Sequence, residues 1–167
     1  MTAPEVLIRL SALLAFGVWS IGTSAQILEG QVVGVAEGDT LTLLDDNRQQ
    51  HRIRLAGIDA SEKAQPFGPR SKQHLPELAF GKDARADCYM VDRYDRDVCT
   101  VYVDGKDVGL AQIDAGLACW FRKYAHEQLP NDRINHEAAE DRAAADRVGL
   151  WQDAKPVPPW EWRREHR

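Results

Sequence analysis

Between residues 31 and 58 short β-type runs are broken by tight-turn residues, and no other feature of the chain constrains its fold as much. Segments 31–35 and 40–44 are separated by Glu37-Gly38-Asp39, and Asp45-Asp46-Asn47 turns the chain into 51–58. In that third segment Ile53 and Leu55 alternate with Arg52 and Arg54, so one face is apolar and the other carries guanidinium groups. Two more runs, 84–91 and 98–103, flank the polar stretch Asp92-Arg93-Tyr94-Asp95-Arg96-Asp97 and read as a hairpin.

Helical segments lie between and after these strands. Phe67-Gly68-Pro69 introduces one to about residue 80, with Pro69 suited to a first turn. Pro76 is expected to kink or split it, because proline lacks the N–H and crowds the preceding turn. Asp107 caps a second helix that runs to Ala115 and stops at Gly116. The longest is expected over 132–147, with Ile134, Ala138, Ala145 and Val148 as its apolar positions and a solvated charged face. The tail, 153–167, contains Pro158-Pro159-Trp160-Glu161-Trp162 and cannot be regular helix throughout; its tryptophans pack back on the domain or serve a docking role.

With 167 residues, 44% hydrophobic and 28% charged, the chain suits one globular domain and excludes collagen-like, coiled-coil or wholly disordered readings. Its 21 Lys plus Arg against 26 Asp plus Glu leave a formal charge of -5. Non-specific coating of nucleic acid by bulk electrostatics is therefore disfavoured. An enzyme that grips a polyanion through a few local arginines and a divalent cation stays open.

Residues 1–25 differ in composition from the rest. Arg9 precedes an apolar run from Leu10 to Ile21, which ends at Gly22-Thr23-Ser24-Ala25. This is the shape of a secretory signal cleaved near Ala25, with export to the periplasm or beyond; a buried N-terminal helix and an uncleaved anchor are the alternatives. The run is well short of the roughly 20 residues that span a bilayer. Export permits a disulfide. Cys88 and Cys99 flank the polar stretch, so they are expected to face each other across adjacent strands, either bridged or as two buried thiols. Cys119 is left over as a small core residue, and three cysteines without paired spacing rule out a zinc ribbon.

One constellation carries chemistry: Asp39, Arg54, Asp59, Glu62 and Arg96. Carboxylates on neighbouring turns suit a hard cation such as Ca²⁺, and two arginines suit one phosphoryl group, because the guanidinium fork matches two of its oxygens. Taken singly each has a bland explanation, a turn cap or a surface ion pair. Taken together, in order and spacing, they resemble the staphylococcal-nuclease-like (thermonuclease, micrococcal nuclease) family. The matching pieces run from about Gly30 to Trp151: Glu37-Gly38-Asp39-Thr40, Arg54-Leu55, Ile58-Asp59-Ala60-Ser61-Glu62, Phe67-Gly68, Asp92-Arg93-Tyr94-Asp95-Arg96, Val103-Asp104-Gly105-Lys106, Ala115-Gly116-Leu117-Ala118 and Gly149-Leu150-Trp151. The Pro-Pro-Trp-Glu-Trp ending also looks like exported bacterial members.

The resemblance implies an α+β, mainly β fold, a five-stranded OB-type β-barrel with about three packed helices over 26–152. It implies Ca²⁺ held by Asp39, Asp59 and the Ala60 carbonyl, with Glu62 as general base and Arg54 and Arg96 on the phosphate. Arg93, Tyr94 and Tyr124 match substrate-contacting positions. The implied activity is phosphodiester hydrolysis of DNA and RNA to 3′-phosphates, with single strands preferred and a monomer sufficient. Three departures stand out: Asp95 replaces a glycine before Arg96, Ser61 replaces a proline between Asp59 and Glu62, and the acidic balance must be overcome locally for a polyanion to dock. None removes a catalytic group, so weakened rather than abolished activity is expected. The alternative is the same barrel used as a catalytically weak or inactive module that binds nucleic acid or protein.

Overall fold

Strand β1 (Gln26–Glu37) serves two partners along its length, and this doubling curls the sheet. Gly30 to Glu37 pair antiparallel with β2 (Thr40–Asp45), while Gln26 to Gln31 pair antiparallel with β5 (Asp83–Val91). The expected strand over 31–35 is thus longer at its start, because residues 26–30 find their partner in β5, distant in sequence. The protein is described by a computed structural model covering residues 26–166; the segment 1–25, read above as a secretory signal, lies outside the described residues.

β2 pairs with β3 (Gln50–Leu55), β5 with β6 (Asp97–Val103), and β3 then pairs parallel with β6, which closes a five-stranded barrel. Val32, Leu41, Leu43, Ile53, Leu55 and Val101 fill its interior. The segment expected as one strand over 51–58 is broken. Gly57 takes φ +68, a left-handed conformation that glycine adopts without strain, and the chain resumes as β4 (Ile58–Ala60). The short β7 (Lys106–Asp107) extends β6, and β4 forms a separate ribbon with β8 (Ala118–Trp120).

Helix α1 (Gly68–Ala79) buries Leu75 and Ala79 against the barrel. It runs through Pro76 as one helix instead of splitting. Lys72, whose carbonyl loses its helical partner to the proline, is exposed, and Pro76 itself is half-buried. Helix α2 (Val108–Asp114) starts as expected at Asp107, whose Oδ1 accepts from the Gly109 and Leu110 amides at 2.8 and 3.1 Å. Its Gln112 is fully buried: Nε2 donates to the Gly38 carbonyl at 2.6 Å and to the Ser71 carbonyl at 3.1 Å. That amide clamps the β1–β2 turn to both helices.

Helix α3 (Pro130–Ala145) buries a different face from the one expected. Ile134 is 64% exposed, whereas His136, Ala139, Glu140 and Ala143 point inward. The polar members find partners there: Gln128 Nε2 donates to His136 Nδ1 at 2.7 Å, and Glu140 Oε1 accepts from the Trp120 amide at 2.9 Å. The last helix, α4 (Pro159–Glu165), follows an extended stretch and lies against β4, with Trp160 stacked on Phe121 at 4.8 Å between centroids. Cys119 is buried and free, as expected of a core residue.

Cys88 and Cys99 are opposed residues of the β5–β6 ladder and form a disulfide. Replacing both by serine is predicted to lower the unfolding free energy by about 3 kcal/mol, the loop-closure value for a short loop. Urea unfolding monitored by circular dichroism checks this, and an unchanged midpoint would contradict it.

Candidate active site

The turn between β1 and β2, the strand β3 and the β5–β6 turn all end on one side of the barrel. A cleft of about 660 Å³ opens there, lined by Asp39, Arg54, Asp59, Ala60, Glu62, Arg93, Tyr94, Arg96 and Tyr124. All the cleft residues expected from the sequence are therefore gathered in one place, although Asp39 and Tyr124 are far apart along the chain.

Asp39 is held by its backbone: its carbonyl accepts from the Leu55 amide at 2.8 Å, and the neighbouring Gly38 carbonyl is fixed by Gln112. Its carboxylate accepts from Thr40 Oγ1 at 2.9 Å and turns Oδ2 towards the Ala60 amide, 3.5 Å away. Asp59 lies on β4, nearly buried, opposite Cys119 of β8. Burial pushes its carboxyl up to about 6; the Arg163 guanidinium opposes that shift, and the charges of Asp39 and Glu62 reinforce it. Glu62 follows in a tight turn where its amide donates to Gln65 Oε1 at 3.0 Å and its carbonyl accepts from the Gln65 amide at 2.8 Å. Gly68 packs on this turn so closely that a Cβ there would lie 1.8 Å from the Glu62 carbonyl oxygen.

The two arginines meet over a shared carboxylate. Arg96 Nε and Nη2 bond to Asp92 Oδ2 at 2.9 and 2.7 Å, and Arg54 Nε lies 3.6 Å from the same oxygen. Burial alone would raise the Asp92 carboxyl, but the Arg96 guanidinium and the Tyr94 and Arg96 amides hold it below its ordinary value. Arg54 Nη2 also bonds to the buried Glu127 at 2.5 Å, and its guanidinium sits 5.4 Å from the Tyr124 ring centre. Tyr94 is exposed, flanked by the guanidinium groups of Arg93 at 4.8 Å and Arg96 at 5.3 Å.

Asp95, where the family has glycine, takes φ +57, a conformation aspartate tolerates better than most residues. The Ser61 hydroxyl is buried without a hydrogen-bond partner among the described residues. Asp92, Glu127 and Arg163 escaped the sequence reading as working residues. Asp92 stood inside a quoted motif, and only its acid type beside two arginines hinted at its task. Glu127 and Arg163 gave no signal, since their partners lie 73 and 101 or more positions away.

The donor set fits a hard divalent cation. Asp39 and Asp59 offer oxygen ligands in a partly desolvated pocket, and a cation in the form of the Arg163 guanidinium is already seated on Asp59 and Glu62. Among the described residues no three His, Cys, Asp or Glu side chains converge on one point, so a bound ion would draw further ligands from a backbone carbonyl, water or phosphate.

The closed barrel thus carries two arginines and three carboxylates in one cleft at its mouth. A sequence profile described as staphylococcal nuclease homologue matches residues 52–153. The chain is 39% identical over 144 residues to a micrococcal nuclease of Shigella flexneri, covering 81% of this chain and 80% of that protein. It is 35% identical over 137 residues to an uncharacterized endonuclease of Haemophilus influenzae, covering 82% and 74%. An uncharacterized endonuclease of Escherichia coli is 38% identical over 137 residues, covering 81% and 85%. The chain belongs to the staphylococcal nuclease family.

In metal-free protein the Asp59 carboxyl is predicted to titrate near 6. Its folded value lies above the unfolded 3.8, so the stability it contributes is present below 3.8 and lost as pH rises through about 6. Carboxyl ¹³C NMR follows the titration, and Arg163→Gln should move the midpoint higher by removing the opposing charge. A wild-type midpoint near 4 would sink the assignment.

Proposed function

We propose that the protein is an exported, Ca²⁺-dependent nuclease that hydrolyses phosphodiester bonds of DNA and RNA to 3′-phosphate products. Its family and the nucleases among its relatives support a hydrolase acting on nucleic acid. The observation that carries the finer reading is the juxtaposition, in one cleft, of Arg54 and Arg96 on Asp92 with the carboxylates of Asp39, Asp59 and Glu62. Export is supported by the composition of residues 1–25 and by a disulfide suited to an oxidising compartment.

Asp39, Asp59 and the Ala60 carbonyl would hold Ca²⁺, which when bound polarises a non-bridging phosphate oxygen. Glu62 takes a proton from a water molecule, the resulting nucleophile attacks phosphorus in line as the P–O5′ bond breaks, and the departing 5′ oxygen takes up a proton from solvent to leave as a hydroxyl. Arg54 and Arg96 hold the equatorial oxygens while negative charge builds. Their ion pairs with Asp92 and Glu127 fix the guanidinium planes beforehand, so little reorganisation is needed at the moment of reaction. Exposed Tyr94 and the cleft-lining Tyr124, with Arg93 beside Tyr94, offer stacking faces for unpaired bases, which favours single strands. A monomer suffices, since all these groups come from one chain.

A second reading, a binding module without hydrolysis, is favoured by the Arg163–Glu62 bond, which occupies the proposed base. Heat-denatured DNA with Ca²⁺ or chelator separates the two. Chelator should abolish digestion. Glu62→Gln should lower kcat by about 10²–10⁴-fold while DNA binding persists, and Arg54→Ala or Arg96→Ala by about 10²–10³-fold. DNA binding by the wild type with no cleavage in Ca²⁺ would establish the module instead.

A further inference from the structure

The C-terminal helix α4 reaches into the catalytic cleft and places a cation on its carboxylates. Arg163 Nη1 and Nη2 bond to the two Asp59 oxygens at 2.9 and 2.6 Å, and Nη1 also bonds to Glu62 Oε1 at 2.5 Å. The helix is seated by contacts that touch neither acid. Trp160 stacks flat on Phe121 with an interplanar angle of 7°, Pro159 is buried, and the Val157 carbonyl accepts from Gln65 Nε2 at 2.6 Å. Gln65 is the residue that shapes the Glu62 turn, so the tail is fastened to the loop bearing the proposed base.

Three acids, Asp39, Asp59 and Glu62, share this corner of the cleft, and Asp59 is almost wholly out of water. A buried carboxylate in such company needs a counter-charge, and Arg163 supplies it in the two-pronged geometry that guanidinium matches best. A divalent ion held by Asp39 and Asp59 would draw on the carboxylate that Arg163 now engages at both oxygens. It would also lie within a few ångströms of the guanidinium, where like charges repel strongly in a desolvated pocket. The two cations would therefore compete for one carboxylate.

We propose that α4 is a tethered strap whose Arg163 occupies the catalytic carboxylates, and that divalent-cation binding and strap docking are mutually exclusive. The metal thus frees Glu62 for base work as it enters, and the strap holds the enzyme closed where the cation is scarce. This rests on the reading above that Asp39 and Asp59 are the cation's ligands. Because only the undocked fraction binds metal at full strength, a strap docked nine-tenths of the time weakens the apparent affinity about tenfold.

The test titrates Ca²⁺ calorimetrically into the full chain as wild type, Arg163→Gln, Arg163→Lys and Trp160→Ala, and follows hydrogen exchange of the amides of Glu161, Trp162 and His166, which are bonded within the strap. Thermal melts verify that each variant is folded. Arg163→Gln should bind Ca²⁺ at least about tenfold more tightly, with Arg163→Lys between it and wild type. Trp160→Ala touches no carboxylate and should tighten binding in the same direction. In the wild type, Ca²⁺ should accelerate exchange of the three amides. Equal affinities with unchanged exchange would overturn the strap and leave the metal site standing. Tighter binding in Arg163→Gln but not in Trp160→Ala would overturn it too, reducing the effect to local charge. Absence of Ca²⁺ binding in every variant would instead refute the metal site itself, and the strap with it.

Discussion

Every sheet pairing among the described strands is antiparallel except one, that of β3 with β6, and the cleft depends on it. Matching Ile53, Arg54 and Leu55 to Asp97, Val98 and Cys99 closes the barrel and sets Arg54 beside the turn that carries Asp92 and Arg96. Without closure the two guanidinium groups would sit on opposite edges of an open sheet. The apolar half of the same strands supplies the driving force: Ile53, Leu55, Val98 and Val101 leave water almost completely. Packing inside the barrel and the charged cleft at its mouth are therefore two faces of the same few strands.

An acidic protein that handles a polyanion must arrange its positive charge locally. Here three of the cleft arginines are held by acids: Arg96 by Asp92, Arg54 by Glu127 and Asp92, and Arg163 by Asp59 and Glu62. Such pairing orients the guanidinium forks but also dilutes their charge. Arg54 and Arg96 are matched in charge by Asp92 and Glu127, so what they offer a phosphate is oriented N–H groups rather than surplus charge. Arg163 is different, because its partners are the acids that the proposed chemistry requires free.

Local rules were legible wherever neighbours in sequence decide structure. The hairpin around Asp92 to Asp97, the Asp107 cap and the stop at Gly116 all depend on residues within about a turn of each other, whereas the register shift between Cys88 and Met90 that sets Cys88 opposite Cys99 does not follow from them. Longer-range competition defeated the same rules elsewhere. Helical periodicity chose Ile134 for the core of α3, yet the helix turned His136 and Glu140 inward because Gln128 and the Trp120 amide offered them hydrogen bonds. The run 51–58 reads as one strand, but Gly57 breaks it so that β4 can pair with β8. Pro76 failed to split α1, which runs through it to Ala79.

The residue types at the mouth of the barrel, their order and their spacing belong to the sequence, and they sufficed to single out Asp39, Arg54, Asp59, Glu62 and Arg96, because a cation and a phosphate demand particular side chains. Their convergence belongs to the tertiary structure, and so do the buried partners Glu127 and Arg163. An ion pair between residues a hundred positions apart leaves no trace in local pattern. It forms only when a closed barrel and a returning tail bring the two charges together and burial makes each one need the other.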